Sequence, residues 1–214
     1  AEKPEGDLPA SACSQALVPV FLPEQSNAYR SAHPGVTFSV NVRDREQAEA
    51  ELVAFKSDLA LVFEPVVLVD FTVLKAIPQP VAAAMSADHP LAARTQLRLR
   101  ECLDHAHVAP QQRFGLRALL DTAARRIGRS VAPVVETDSF DLVRHYMRHE
   151  AAIGFQIPIG LPASGRDGIV WRPIAACDMP AGSLLLGQMR GRTLSVATTR
   201  FADQVTAAMA ALSD

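Results

Sequence analysis

Short apolar runs alternate with longer segments of helical periodicity along most of this 214-residue chain. Residues 36–42 alternate β-branched and polar side chains, as a strand does, and residues 45–55 then show the apolar spacing of a helix. Repeated alternation of strand and helix is typical of α/β proteins, because a helix carries the chain back before the next parallel strand. The sequence therefore predicts an α/β fold.

The same periodicity predicts where the individual elements lie. Strands are expected at residues 8–14, 36–42, 57–62, 68–77, 80–85, 106–109, 131–135, 152–156, 169–174 and 183–188. Helices are expected at residues 19–32, 45–55, 98–103, 116–127, 139–148 and 195–212. The last helix is expected to place five apolar residues on one side: Val196, Phe201, Val205, Met209 and Leu212.

Two β-α-β series are visible, and they join near Pro78 and again near Met179. This arrangement predicts two α/β lobes joined by two crossover strands. We expect lobe I to comprise residues 1–78 and 179–214, and lobe II residues 79–178. Ligands of such sheets bind at the carboxyl ends of the strands, so the candidate site is a cleft between the lobes.

Charge and cysteine content exclude several classes of protein. The 21 Lys and Arg against 23 Asp and Glu give a net charge of −2. This chain alone therefore lacks the basic excess that neutralises nucleic-acid phosphates. Its three cysteines form no CxxC pair, which excludes a disulfide framework and fits a reducing compartment. No apolar run is long enough to span a bilayer. The polar first residues show no signal peptide, although a cleaved exported protein would begin in the same way.

Catalytic and metal-binding motifs of known spacing are absent from the sequence. His105 and His107, beside Cys102 and Asp104, come nearest to a metal cluster, and His145 and His149 share a helix face. Solvated or half-buried surface is the simpler interpretation of both groups, so we expect no metal, no cofactor and no enzymatic activity.

Residues that directly follow predicted strands are the candidates for ligand contact. Cys13 is interpreted as a packed residue rather than a nucleophile. Ser14 has two alternative roles that the sequence does not separate, a helix cap and a ligand contact. An arginine at a strand end can clamp a carboxylate or phosphate with two hydrogen bonds, although a surface arginine is commoner. Of Arg43, Arg45 and Arg113 we favour Arg45, because it begins a helix. Two aromatic residues, Phe114 and Phe155, fit either the core or a pocket wall.

Five segments in order resemble the effector-binding domain of LysR-type transcriptional regulators. The first comprises Tyr29-Arg-Ser-Ala-His-Pro-Gly-Val-Thr-Phe38, followed by a helix and Ser57-Asp-Leu-Ala-Leu61, and is similar to the first lobe of that family. The second, Asp88-His-Pro-Leu-Ala92, matches the entry to its second lobe. Three further segments resemble that lobe: Gln112-Arg-Phe-Gly-Leu-Arg117, Glu136-Thr-Asp-Ser-Phe140 and Ala152-Ile-Gly-Phe-Gln-Ile-Pro158. The resemblance extends from about Gly6 to Leu212.

The resemblance implies a periplasmic-binding-protein-like fold of type II, with a small inducer in the cleft between two lobes. Carried over by position, the ligand contacts fall on Ser14, Gln15, Arg45, Phe114, Gly115, Thr137, Ser139, Phe155 and Pro158. Arg45 stands where the family often has a small hydroxyl residue, which indicates a more strongly anionic ligand. Cys13 and the Ala151–Ala152 pair, where glycine is common, also depart from the pattern.

The resemblance further implies partners and location. We expect a cytoplasmic, non-membrane sensor of a small-molecule inducer that forms a homo-oligomer, a dimer of this domain with a tetramer as the alternative for the full-length protein. The dimer would use exposed apolar faces of the helices at 19–32 and 195–212. DNA would bind only through an N-terminal winged helix-turn-helix outside this chain. An exported solute-binding protein of a transporter is the alternative, and an enzyme on the same fold is a third reading.

Overall fold

Two mixed sheets with flanking helices make up the computed structural model, which describes residues 7–64 and 70–212. The described strands are β1 Asp7–Cys13, β2 Thr37–Val42, β3 Leu59–Phe63, β4 Phe71–Gln79, β5 Ala82–Ser86, β6 His107–Pro110, β7 Val135–Thr137, β8 Ile153–Gln156, β9 Ile169–Pro173 and β10 Gly182–Met189. The α-helices are α1 Phe21–Ala32, α2 Arg45–Val53, α3 Leu99–Leu103, α4 Gly115–Arg126, α5 Phe140–His149 and α6 Val196–Ala211. Short 3₁₀ helices are η1 Gln15–Leu17, η2 Pro158–Gly160 and η3 Arg166–Gly168. The predicted α/β class is confirmed.

Unit 1, comprising Ala1–Pro78 and Ser183–Asp214, contains the first sheet, whose strands run in the order β2-β1-β3-β10-β4. Strand β1 is parallel to β2 and β3, and β10 runs antiparallel to β3. Every residue of β3 is buried, which explains its uninterrupted apolar sequence. Because β1 lies between the two strands that follow it in the chain, the carboxyl ends of these parallel strands meet at one edge, where ligands of such sheets bind.

Unit 2, comprising Gln79–Gly182, repeats this arrangement with the strand order β7-β6-β8-β5-β9. Strand β6 is parallel to β7 and β8, and β5 pairs antiparallel with both β8 and β9. The centre of this sheet is closely packed because Ala82, Ala83 and Ala84 of β5 are fully buried. The carboxyl ends of β6, β7 and β8 therefore share one edge, as those of β1, β2 and β3 do in unit 1.

Side-chain caps begin helices α2 and α5. Asp44 caps α2 in a capping box: its carboxylate accepts from the Gln47 amide at 2.9 Å, and the Gln47 side chain accepts from the Asp44 amide. Ser139 caps α5, and its hydroxyl accepts from the Leu142 amide at 3.2 Å.

Several predicted elements differ from the structure. The strand expected at 131–135 is β7, which begins only at Val135; Pro133, which lacks an amide donor, precedes it. The predicted strand 68–77 begins outside the described residues and is observed as β4. Val196 is 71% exposed while Phe201, Val205 and Met209 are buried, so its expected place on their side of α6 is wrong. At 100° per residue, position 196 points away from the other three.

Unit 2 ends a few residues later than the predicted end of lobe II at residue 178. Asp178 accepts hydrogen bonds from Arg98 and from the Leu99 amide, and the Met179 amide bonds to the Ala175 carbonyl. These bonds hold the segment in unit 2 until β10 begins. The assignment of the ranges 1–78 plus 179–214 and 79–178 to regulatory lobes stays a prediction.

Candidate ligand-binding site

The carboxyl ends of β1, β2 and β3 come together at one edge of the unit 1 sheet. The Ser14 amide donates to the Leu61 carbonyl at 2.9 Å, and the Arg43 amide donates to the Cys13 carbonyl at 2.9 Å. These backbone bonds continue the parallel pairing of Cys13 with Val42 and Leu61 just beyond β1. The edge therefore brings together Ser14 and the start of α2, as the sequence predicts.

Ser14 and Gln15 stand at the entry to the 3₁₀ helix η1. Ser14 occupies the N-cap position in an extended conformation, but its hydroxyl makes no capping hydrogen bond. Both side chains are partly buried, whereas Ala16 and Leu17 behind them belong to the core. The structure thus places a hydroxyl without a capping role at this edge, which favours the ligand alternative left open for Ser14.

Arg45 is the first residue of α2 and lies beside the end of β3. Its Nη1 donates to the Glu64 carbonyl at 3.1 Å. Its Nε is buried and has no hydrogen-bond partner among the described residues. A buried N–H without an acceptor costs free energy, so such an atom requires an explanation. A ligand oxygen at this position would satisfy it.

Arg43 and Arg113, the two other strand-end arginines, have partners within their own units. Arg43 Nε donates to Glu51 at 2.5 Å. Burial acts to raise the pKa of Glu51, but hydrogen bonds from Arg43, Ser57 and Asn41 outweigh it and lower that pKa. Arg113 bonds Asp138 at 2.7 Å and lies over the Phe114 ring. The geometry therefore favours Arg45, the residue selected from the sequence.

In unit 2, Phe114 and Gly115 follow β6 at the start of α4. Phe114 is the N-cap residue and supplies no side-chain acceptor, so the first amides of this twelve-residue helix lack a capping side chain. Arg117, in the first turn of the helix, is buried; its Nη1 donates to the Pro110 carbonyl at 3.1 Å and to Glu136 at 2.8 Å. These bonds tie α4 to the ends of β6 and β7.

Thr137 and Ser139 stand together where β7 leads into α5. The buried Thr137 hydroxyl oxygen accepts from the Ser139 amide at 3.0 Å, and the Ser139 hydroxyl oxygen caps α5. Both oxygens act as acceptors in these bonds, so each O–H stays available to donate to an anion.

Phe155 and Pro158 lie on either side of the end of β8. Phe155 is only 2% exposed and meets the His107 ring edge to face at 6.0 Å, so it is a core residue in this structure. Pro158 is partly exposed and begins η2. Ligand contact by either residue stays a prediction.

Cys13 and the histidine groups are the residues that the sequence offers for catalysis and metal binding. Cys13 is buried, and burial raises the pKa of its thiol to about 12, so the reactive thiolate is disfavoured. Within residues 7–64 and 70–212 no three His, Cys, Asp or Glu side chains form a group that could hold a metal ion. No helix in those ranges is both long and apolar enough to cross a membrane.

Sequence reasoning missed two residues at these edges, Glu64 and Arg117. Glu64 holds Arg45, and Arg117 connects α4 to two strand ends. One signal for Glu64 was its charge directly after an apolar strand. The signal for Arg117 was its charge, because it follows Leu116 on the otherwise apolar face of the predicted helix.

The chain belongs to the family of LysR substrate-binding domains, since the family model described as "LysR substrate binding domain" matches residues 12–210. The matched range contains both candidate edges and every described strand except the first five residues of β1. Domains of this family are ligand-sensing regulatory parts of LysR transcriptional regulators, and this chain is such a sensing domain.

Solved structures of LysR regulators share its fold. HinK, a LysR family regulator from Pseudomonas aeruginosa, is 18% identical, with a TM-score of 0.78 over 97% of this chain and 71% of HinK. The CcmR regulatory domain of Synechocystis PCC6803, in complex with 2-PG, is 22% identical, with a TM-score of 0.81 over 96% and 98%. The effector binding domain of QuiR, in complex with shikimate, is 17% identical, with a TM-score of 0.77 over 96% and 98%. The expected type II periplasmic-binding-protein-like fold is confirmed. A search of curated proteins finds no match to the chain.

Proposed function

We propose that this domain controls transcription by binding a small anionic metabolite through the strand-end residues of its two units. Unit 1 contributes Ser14, Gln15 and Arg45. Unit 2 contributes Phe114, Gly115, Thr137 and Ser139, together with Phe155 and Pro158 at the end of β8. The ligand shifts the population between two arrangements of the domain in proportion to its difference in affinity for them.

The buried Nε of Arg45 carries this proposal. Its guanidinium is oriented by Glu64, but Nε has no acceptor among the described residues. A carboxylate or phosphate is the natural acceptor, because a charge-assisted hydrogen bond from a guanidinium is stronger than a neutral one. Ser14, at the same sheet edge, supplies a hydroxyl donor without a capping role.

Unit 2 supports an anionic ligand through neutral donors. The first amides of α4 carry no capping side chain, and the hydroxyls of Thr137 and Ser139 are free to donate. An uncapped helix N-terminus favours negative charge through its unpaired amides and its dipole.

We further propose that the domain has no catalytic activity, since its family consists of regulator domains and the Cys13 thiol is buried and protonated. As a LysR regulator it would act in the cytoplasm as a homo-oligomer. The two states to test are a dimer of this domain and a tetramer of the full-length protein. DNA would be bound by a separate N-terminal domain. The family match disfavours the exported solute-binding alternative.

Thermal-shift screening of small carboxylates and phosphate esters, followed by calorimetry, tests the proposal. A ligand at about a hundred times its Kd adds about 2.7 kcal/mol to the free energy of unfolding. Arg45→Ala is expected to weaken binding by roughly 10- to 100-fold, the value of hydrogen bonds to a charged group, and Ser14→Ala by roughly two- to tenfold.

Arg200→Ala is the matched control, because Arg200 is an exposed arginine of α6 that does not follow a strand end. It should leave the affinity unchanged. Equal affinities for wild-type, Arg45→Ala and Ser14→Ala proteins would refute the assignment of this site.

A further inference from the structure

Glu64 has an unusual backbone conformation at the point where β3 ends. Its φ is +50°, in the left-handed region. Glycine or asparagine normally occupies such a position, because a Cβ atom is unfavourable there. Residues held in this region gather at ligand clamps and switch segments. A glutamate at this place therefore indicates that its side chain is needed.

Three hydrogen bonds connect Glu64 to Arg45 and to Ser183. The Glu64 carbonyl accepts from Arg45 Nη1 at 3.1 Å. The Glu64 amide donates to the Ser183 carbonyl at 2.9 Å, and Glu64 Oε1 accepts from the Ser183 amide at 2.5 Å. Ser183 is the residue at which the chain returns from unit 2 to unit 1. A glycine would make the two main-chain bonds but would leave the Ser183 amide without this acceptor.

The bond to Nη1 also decides which part of the guanidinium remains for a ligand. The Nε–H and the Nη2–H lie on the same side of the planar group and form a two-donor edge. Arg98 shows this geometry within the same chain: its Nε and Nη2 each bond an Asp178 oxygen at 2.7 Å. In Arg45 the Nε of that edge is buried and without a partner among the described residues.

We infer that Glu64 is the positioning residue of the anion site: it holds Arg45 by Nη1 so that the Nε–Nη2 edge faces a ligand oxyanion, and it fixes Ser183 through its carboxylate. The inference rests on the proposed function and specifies the ligand group, a carboxylate or phosphate bound by two parallel hydrogen bonds. Glu64 thereby joins Arg45 to Ser183 at the start of β10, where the chain returns from unit 2.

Two variants of Glu64 separate the carboxylate from the backbone. Glu64→Gly keeps the main-chain carbonyl and relieves the left-handed φ, but it removes the acceptor for the Ser183 amide. Glu64→Gln keeps a side-chain oxygen acceptor. In ligand-free protein, hydrogen exchange of the Ser183 amide should become about tenfold faster in Glu64→Gly, the loss of one hydrogen bond, and should stay within about threefold of wild type in Glu64→Gln.

Arg45→Lys tests the two-donor edge, since lysine keeps the charge but lacks the planar pair of donors. With phosphate and shikimate as probes, its affinity should fall about as far as that of Arg45→Ala. Glu64→Gly should weaken the probe that binds by about fivefold, the effect of misorienting one hydrogen-bonding group. The Arg45 Nε–H resonance, identified by its loss in Arg45→Lys, should shift when that probe is added and broaden in Glu64→Gly.

The outcomes distinguish this inference from the proposed function. If neither probe binds the wild-type protein, the anionic ligand is refuted while the exchange data still decide the role of Glu64. If Ser183 exchange and the Nε–H resonance are unchanged in Glu64→Gly, the positioning role is refuted even where a probe binds. Full affinity in Arg45→Lys refutes the two-donor edge.

Discussion

Asp178→Ala should destabilise unit 2 through one buried amide. The Asp178 carboxylate is 5% exposed; it accepts from Arg98 Nε and Nη2 at 2.7 Å each and from the Leu99 amide at 3.0 Å. The hydrogen bond from Arg98 is the main cause that lowers the pKa of Asp178; burial opposes it, and the Leu99 amide adds to it. The carboxylate thus caps α3 at its first residue from a distant part of the chain.

The loss of stability in Asp178→Ala depends on the groups that lose their hydrogen-bond acceptor. Leu99 is fully buried, so its amide loses its acceptor without gaining water, which costs about 1–3 kcal/mol. The Arg98 side chain is exposed and becomes hydrated, so we assign it no share of the loss. For a chain of this length, about 1–3 kcal/mol corresponds to a fall in Tm of roughly 2–12 °C.

Trp171, the chain's one tryptophan, lies in β9 of unit 2 and makes a specific assay available. Urea unfolding followed by its fluorescence should show a lower midpoint for Asp178→Ala, whereas Asp88→Ala, at an exposed aspartate of the same unit, should match wild type. Because the folded pKa of Asp178 is lowered, its stabilisation is complete above the ordinary carboxyl pKa. It should therefore disappear as the pH falls below about 4. A midpoint of Asp178→Ala equal to that of the control at pH 7 would refute the capping role.

Two further predictions concern packing and pH. Gly187→Ala should destabilise unit 1 by about 1–3 kcal/mol, because the new Cβ would overlap the Phe71 ring and lie 2.6 Å from the Thr72 carbonyl oxygen. Urea unfolding followed by circular dichroism measures this loss of stability. Gly35→Ala, whose new Cβ would meet open space, is the control. Burial, and to a lesser extent His105, lowers the pKa of His89. As the pH falls from about 7 towards 5, the unfolded state therefore protonates His89 more readily than the folded state does. The stability of unit 2, measured by Trp171 fluorescence, should decrease over this range. His89→Asn keeps an acceptor for the Leu91 amide without titrating; if it lost stability as steeply as wild type, His89 would not be the cause.

The strand ends were the most predictable part of the candidate site. A sequence pattern locates where each strand stops, and parallel pairing then brings the ends of neighbouring strands to one edge. Ser14 and Arg45 in unit 1, and Thr137 and Ser139 in unit 2, lie at such edges for this reason. Phe155 was harder to interpret, because an apolar residue near a strand end has the same pattern whether it packs in the core or lines a pocket.

The sequence alone determined the α/β class, the order of strands and helices, and the resemblance to LysR effector-binding domains, since these depend on local periodicity and short motifs. Tertiary structure decided which arginine is available: Arg43 is paired with Glu51 eight residues away, while Arg45 keeps a buried Nε without a described partner. It also decided the role of Glu64, whose carboxylate reaches an amide 119 residues further along the chain. Contacts of this kind leave no local pattern, because they depend on how distant segments are brought together by the sheet.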